Sequence, residues 1–238
     1  MKILITGGSG LLGSEILKLD STLIAPPLEE LDITLPQTIE AAFAKYRPDT
    51  VLHLAAATNP PEHDKNPLLG LKINVVGTAN IALASMQSGI RLVYTSSDYL
   101  YSGKGPHRED EALKAPSNFY LSKLAGECAV RLCPRYLILR LSFGPRPFPW
   151  KEVYEGQMVN KLYVDEMAPL VLAAVKSEAL GIMNLGGPVT SLEAYAKRTK
   201  KDITTISKPE WVPDDLSLDL SRMKEILKIS DENSLLKI

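Results

Sequence analysis

Glycines 7, 10 and 13 constrain this chain more than any other feature. They lie in ITGGSGLLGSE, residues 5–15, between an apolar run that reads as a strand, KILIT (2–6), and one that reads as a helix, LLGSEILKL (11–19). A strand that passes through a glycine turn straight into a helix opens a βαβ unit, and the spacing fits a dinucleotide turn. Gly7 permits the tight turn, Gly10 lets the backbone approach a pyrophosphate, and Gly13 lets helix and strand pack closely. The first turn of the helix then offers unpaired N–H groups to phosphate oxygens.

The rest of the chain continues the alternation. TLIA (22–25), TVLHLA (50–55), RLVYTSS (91–97), YLILRLS (136–142) and GIMNLG (181–186) read as strands. Between them, 35–46, 68–89, 117–132 and 164–178 read as helices, and a last helix is expected near 219–228. Strands that are apolar throughout are buried on both faces, and helical crossovers make them parallel. The fold class is α/β, a Rossmann-type doubly wound parallel sheet with a small C-terminal cap. We expect a dinucleotide-binding core from 1–143 plus 163–186, and a substrate-binding cap from 144–162 plus 187–238.

Composition excludes several partners. With 27 basic and 28 acidic residues among 238, the net charge of −1 favours neither nucleic acid nor an anionic membrane. The basic run KRTKK (197–201) reads as a solvated helix face. Cys128 and Cys133 fit no redox or zinc spacing, and Cys128 falls on the apolar stripe of its helix, so both read as reduced core thiols. His53, His63 and His107 have no metal-ligand spacing, and no metal is expected. The start, MKILITGG, reads as strand rather than leader, and no apolar run is expected to reach the roughly 20 residues of a membrane span. A cytoplasmic chain is expected.

Several stretches in fixed order carry a resemblance: TGGSGLLG (6–13), LDIT (31–34), RPDTVLHLAA (47–56), INVVGTANIA (73–82), TSSDYLYSG (95–103), SKLAGE (122–127) and YVDEMA (163–168). Together they resemble the extended short-chain dehydrogenase/reductases, and among these the dTDP-4-dehydrorhamnose reductases. The resemblance implies an NAD(P) cofactor and a nucleotide-sugar substrate, with a homodimer or a partner enzyme as further expectations. It implies that Gly7, Gly10, Leu11 and Leu12 form the pyrophosphate turn, and that Asp32 and Ile33 lie beside the adenine. Ala55, Ala56 and Ala57 would pass under the ribose, Ser97 would hydrogen-bond the substrate carbonyl, and Lys123 would hold the nicotinamide ribose. After the second strand come Pro26, Pro27, Glu29, Glu30 and Asp32 with no nearby Arg, a slight lean toward NAD.

One position breaks the pattern. The family's acid is a Tyr four residues before the Lys, and here that residue is Phe119. Residues i and i+4 lie about 40° apart around a helix, so a Tyr there would meet the ammonium. Phe119 has no proton to give, and losing a positioned acid costs about 10²–10⁴ in rate. Tyr120 is the substitute in sequence, three residues before Lys123. The stripe Leu121, Leu124, Ala125, Cys128, Ala129 and Leu132 would set the helix so that Tyr120 points away from the substrate. Tyr99 and Tyr101 could also project into the cleft or pack beneath it. Two readings follow: a reductase of a nucleotide-activated 4-keto-6-deoxy sugar, or a dinucleotide-binding regulatory subunit without turnover, similar to that of methionine adenosyltransferase.

Overall fold

In a computed structural model, residues 1–229 are described. The chain runs β1 (Ile3–Thr6), α1 (Leu11–Leu19), α2 (Pro36–Tyr46), β2 (Thr50–His53), α3 (Pro60–Lys65) and α4 (Pro67–Gly70). A π-helical segment (Leu71–Gly77) leads into α5 (Thr78–Gln87), then β3 (Arg91–Thr95), a 3-10 turn (Asp98–Leu100), α6 (Asn118–Val130) and β4 (Tyr136–Leu141). Short elements follow: β5 (Phe143–Gly144), β6 (Glu152–Tyr154), β7 (Met158–Val159) and β8 (Leu162–Tyr163). The described chain closes with α7 (Val164–Lys176), β9 (Gly181–Leu185), β10 (Thr190–Ser191), α8 (Leu192–Lys197), β11 (Thr204–Ile206) and α9 (Ser221–Leu227).

Five strands form one parallel sheet in the order β1-β2-β3-β4-β9. The strands are almost wholly buried, as their apolar runs require. One face packs on α1 and α7 through a core that includes Ile16, Met167, Leu170 and Val171. The other packs on α2 and α5 through Ile39, Phe43, Ile81 and Ala82. Helices on both faces make the doubly wound architecture.

The strand expected at 22–25 shrinks to a single bridge, Leu4 to Ile24, held by Ile5 N–H to Ile24 O (2.7 Å) and Ile24 N–H to Ile3 O (3.0 Å). Pro26 and Pro27 follow immediately, and without N–H groups they cannot extend the ladder. The helical run Pro67–Gln87 also corrects the sequence reading. Its 21 residues, with mean hydropathy 1.4, are by length and composition enough to cross a membrane. Here one side of it packs against α2 and α6, burying Ile81, Ala82 and Ala84, while Leu68, Leu71, Val76, Leu83 and Met86 stay exposed.

Outside the main sheet, β5 pairs with β8, β6 with β11, and β7 with β10. A separate small core of Phe148, Val153, Tyr163, Tyr195, Ala196 and Ile203 holds these pieces together. The expected boundary at 187 assigns α9 to the cap, but Leu218, Leu220, Met223 and Ile229 pack into the main core. Residues 230–238, also assigned to the cap, lie outside the described residues.

Candidate functional site

Gly7 leaves β1 with φ +73°, in the left-handed region that favours glycine. A Cβ there would stand 2.6 Å from the backbone N of Ala55, and one at Gly13 would stand 2.4 Å from the carbonyl of Gly7. Gly10 caps α1 without a side chain, and the first turn of α1 carries no acidic residue. Gly10 and Leu11 are exposed. The turn thus presents bare N–H groups and the positive end of α1, free of any competing carboxylate, which fits a pyrophosphate.

Beneath the turn lies a cleft of about 370 Å³. Of the residues anticipated from sequence, Gly7, Gly10, Leu11, Leu12, Gly13, Ala56, Ser97, Tyr120 and Lys123 line it, and so does Phe119. Four do not. The Asp32 carboxylate is engaged in its own turn by the N–H (2.8 Å) and hydroxyl (2.7 Å) of Thr34. Ile33 is buried against the bare backbone of Gly77. Ala55 and Ala57 belong to the supporting loop. Asn74, on the π-helical segment, accepts from Ala57 N–H (2.8 Å) and donates to Ala57 O (3.0 Å) and Ser122 Oγ (2.9 Å), tying that loop to α6.

Helix α6 is rotated away from the orientation its apolar stripe predicts. Its buried residues are Ser122, Lys123, Gly126, Glu127 and Val130. Leu121 is 55% and Leu132 75% exposed, and Cys128, expected as a core thiol, is exposed while Cys133 is buried. The cause is a polar network on the inner face. Arg140 and Glu127 form an ion pair at 2.6 Å that is shut off from solvent, and Ser96 donates to the same carboxylate at 2.8 Å. With both charges paired and hydrogen-bonded this face can lie inward, whereas either charge buried alone would be costly.

Lys123 lies on that inner face, its Nζ 4.2 Å from the centre of the Tyr94 ring. Burial lowers its pKa to about 7, against the opposing pull of Glu127. His53, bridged between the hydroxyls of Thr6 (2.6 Å) and Thr78 (3.0 Å), is pushed down to about 3, first by burial and then by Lys123. It is therefore a neutral brace. The Ser97 hydroxyl accepts the N–H of Tyr99 at 3.2 Å, so it caps the 3-10 turn as well as facing the cleft.

Phe119 packs edge-on against His63 (5.3 Å) and Tyr120 (5.0 Å). Tyr120 stacks on Tyr99 at 4.9 Å and lines the cleft, correcting the expectation that it points away. Burial raises its pKa. Tyr101 packs below the site, donating to Asn184 (2.8 Å) and accepting from Arg140 (2.8 Å).

Two residues were missed as site residues by sequence reasoning. Asp98 is 1% exposed, its pKa is raised to about 6 by burial against the opposing charge of Lys161, and its Oδ2 has no hydrogen-bond partner among the described residues. Lys161, between β7 and β8, donates to Ser142 Oγ at 3.0 Å. The available signal was a lysine amid the apolar run of NKLYV, where burial is otherwise expected.

A second chamber of about 810 Å³ adjoins the cleft on the side of the small core, lined by Phe148, Trp150, Lys151, Val153 and Tyr154 among others. The two cavities share Thr58, Tyr99, Tyr120, Ser142, Phe143, Trp150 and Lys161. A ligand beneath the glycine turn and a second one in the chamber would meet at these residues. Among the described residues, no group of three or more His, Cys, Asp or Glu is placed to hold a metal ion.

Comparison with known proteins identifies similar sequences and a similar fold. The model of the RmlD substrate binding domain family matches residues 1–144. A dTDP-4-dehydrorhamnose reductase of Salmonella typhimurium is 31% identical over 224 residues, which is 88% of this chain and 70% of that protein. The methionine adenosyltransferase 2 subunit beta of Xenopus laevis is 30% identical over 141 residues, 54% of this chain and 42% of that one. The chain spans about half the length of the first curated relatives it matches. A dTDP-4-dehydrorhamnose reductase structure from Bacillus anthracis, in complex with NADP, superposes with a TM-score of 0.81 at 22% identity, over 96% of this chain and 98% of that one.

Proposed function

Because the chain belongs to the RmlD substrate binding domain family, we propose that it is an NAD(P)-dependent reductase of a nucleotide-activated 4-keto-6-deoxy sugar. The observation that carries this reading is the junction of the two cavities, where a dinucleotide cleft opens onto an aromatic chamber beside buried ionisable groups. The backbone of Gly10–Leu12 would hold the pyrophosphate, and Lys123 the nicotinamide ribose. When bound, the cofactor supplies a hydride. Ser97 would position the carbonyl, and the aromatic side chains of the small core, with Lys151, would hold the sugar nucleotide. A substrate-binding cap built from 144–162 and from the stretch of 187 onward that precedes Leu218 is part of the same reading, as is a soluble cytoplasmic protein.

Phe119 makes turnover slow in this reading. Tyr99 and Tyr120 are aromatic hydroxyls at the junction, but burial strengthens their hold on their protons and weakens them as acids. A second reading, a dinucleotide-binding regulatory subunit without turnover, is favoured by Phe119 and by the likeness to the Xenopus subunit.

The test follows oxidation of NADH and NADPH by absorbance with dTDP-4-dehydrorhamnose, in the native protein and in Phe119→Tyr. Native turnover, raised in Phe119→Tyr by about 10-fold or more, is expected. Silence in both, with nucleotide binding shown by fluorescence, would leave the regulatory reading.

A further inference from the structure

We propose that Lys161 donates the proton that Phe119 cannot, protonating the substrate carbonyl oxygen as hydride reaches the carbon. This deepens, and rests on, the reductase reading.

Three observations converge on this residue. Lys161 lines both the nucleotide cleft and the aromatic chamber, whereas Lys123 lines only the cleft. Its ammonium uses one of three N–H bonds on Ser142 Oγ (3.0 Å), leaving donors for a ligand at the junction. Asp98, a buried carboxylate whose Oδ2 is unpartnered among the described residues, lines the same cleft, and its charge acts on Lys161. The backbone that presents Lys161 is fixed, because the neighbouring Asn160 donates to Gly187 O (2.6 Å) and accepts from Leu218 N–H (2.7 Å).

The competing acids are less suited. Tyr99 already donates to Gln157 Oε1 at 3.3 Å, and burial pushes the phenols of Tyr99 and Tyr120 up. Burial pushes Lys161 the other way, lowering its pKa against the pull of Asp98 and making its ammonium the stronger acid. The step balances. A reduced pyridine nucleotide gives hydride to the carbonyl carbon, and the C=O π pair moves onto oxygen. That oxygen takes a proton from Nζ, leaving an alcohol, oxidised nucleotide and a neutral amine that solvent reprotonates.

The experiment compares the native protein with Lys161→Met, Lys161→Arg and the double variant Lys161→Met/Phe119→Tyr. Turnover of dTDP-4-dehydrorhamnose should fall about 10²–10⁴-fold in Lys161→Met, with NADPH binding unchanged and a cooperative thermal melt retained. It should stay low in Lys161→Arg, whose guanidinium keeps the charge but releases no proton. It should return in the double variant, where a phenol stands at 119. Acetylation of Lys161 by acetic anhydride, mapped on peptides, should be suppressed by the alcohol product dTDP-rhamnose. Native-like turnover in Lys161→Met, full rescue by Arg, or labelling unaffected by dTDP-rhamnose would each overturn the proposal while leaving the reductase reading standing. No turnover in either the native protein or Phe119→Tyr would remove that reading, and the proposal with it.

Discussion

Helices α6 and α7 are each thirteen residues long and pack on opposite faces of one sheet, yet they bury opposite kinds of side chain. The buried set of α7 is apolar: Val164, Met167, Ala168, Leu170, Val171, Leu172, Ala174 and Val175. That of α6 holds Ser122, Lys123 and Glu127, while its leucines at 121 and 132 face outward. Helix α7 follows the rule that apolar periodicity marks the inner face. Helix α6 departs from it where the cleft beneath the glycine turn lies, and such departures are expected at functional sites, where stability is given up for chemistry.

The largest expected effect breaks the polar face. In Glu127→Ala the guanidinium of Arg140 would lose the carboxylate that pairs with it at 2.6 Å. Because removing one member of a buried pair leaves an uncompensated charge, stability should fall by about 3–5 kcal/mol. Leu170→Ala on α7 should cost about 2–4 kcal/mol through its cavity. Urea unfolding of both variants would check the order. A loss below about 1 kcal/mol for Glu127→Ala would mean that water reaches the pair and that the two helices are not opposites.

The contrast also separates what sequence could disclose from what it could not. All five sheet strands, α1, α2, α7 and α9 follow from apolar runs, glycines and prolines, because local pattern and burial agree there. The glycine turn was legible for the same reason: its backbone demands are local. The rotation of α6 was not, since it depends on Arg140 arriving from β4 to meet Glu127. Asp98 was visible inside a motif, but its isolation is a tertiary fact. Lys161 reaches the junction only once the short strands β7 and β8 have been placed.

An effect of opposite sign sharpens the comparison. The folded protein holds Lys123 at about 7, below the 10.5 of an ordinary lysine. Between those values the unfolded chain keeps a proton that the folded one has shed, so this residue makes stability rise with pH across that window. Below about 7 the full cost of burying the charge is present. Lys123→Met should therefore be the more stable protein at pH 7, by about 1–2 kcal/mol once the lost contact with Tyr94 is allowed for. The advantage should shrink as the pH is raised toward 10. Unfolding of native and variant protein at pH 7 and pH 9.5 measures it, and an advantage that does not change with pH would place Lys123 in water.

The smallest effect tests the outward stripe. Leu121→Ser and Leu132→Ser remove side chains that are 55% and 75% exposed, so each should change stability by no more than about 0.5 kcal/mol. The same replacement at Leu170, fully buried on α7, would be severe. If the two outward leucines instead cost about 2 kcal/mol or more, something covers α6 in solution. A second copy of the chain would then betray itself, because the native melting midpoint would move with protein concentration and those of the two serine variants would move less. A midpoint independent of concentration, with two silent substitutions, would leave α6 as a helix held in place by its inner face alone.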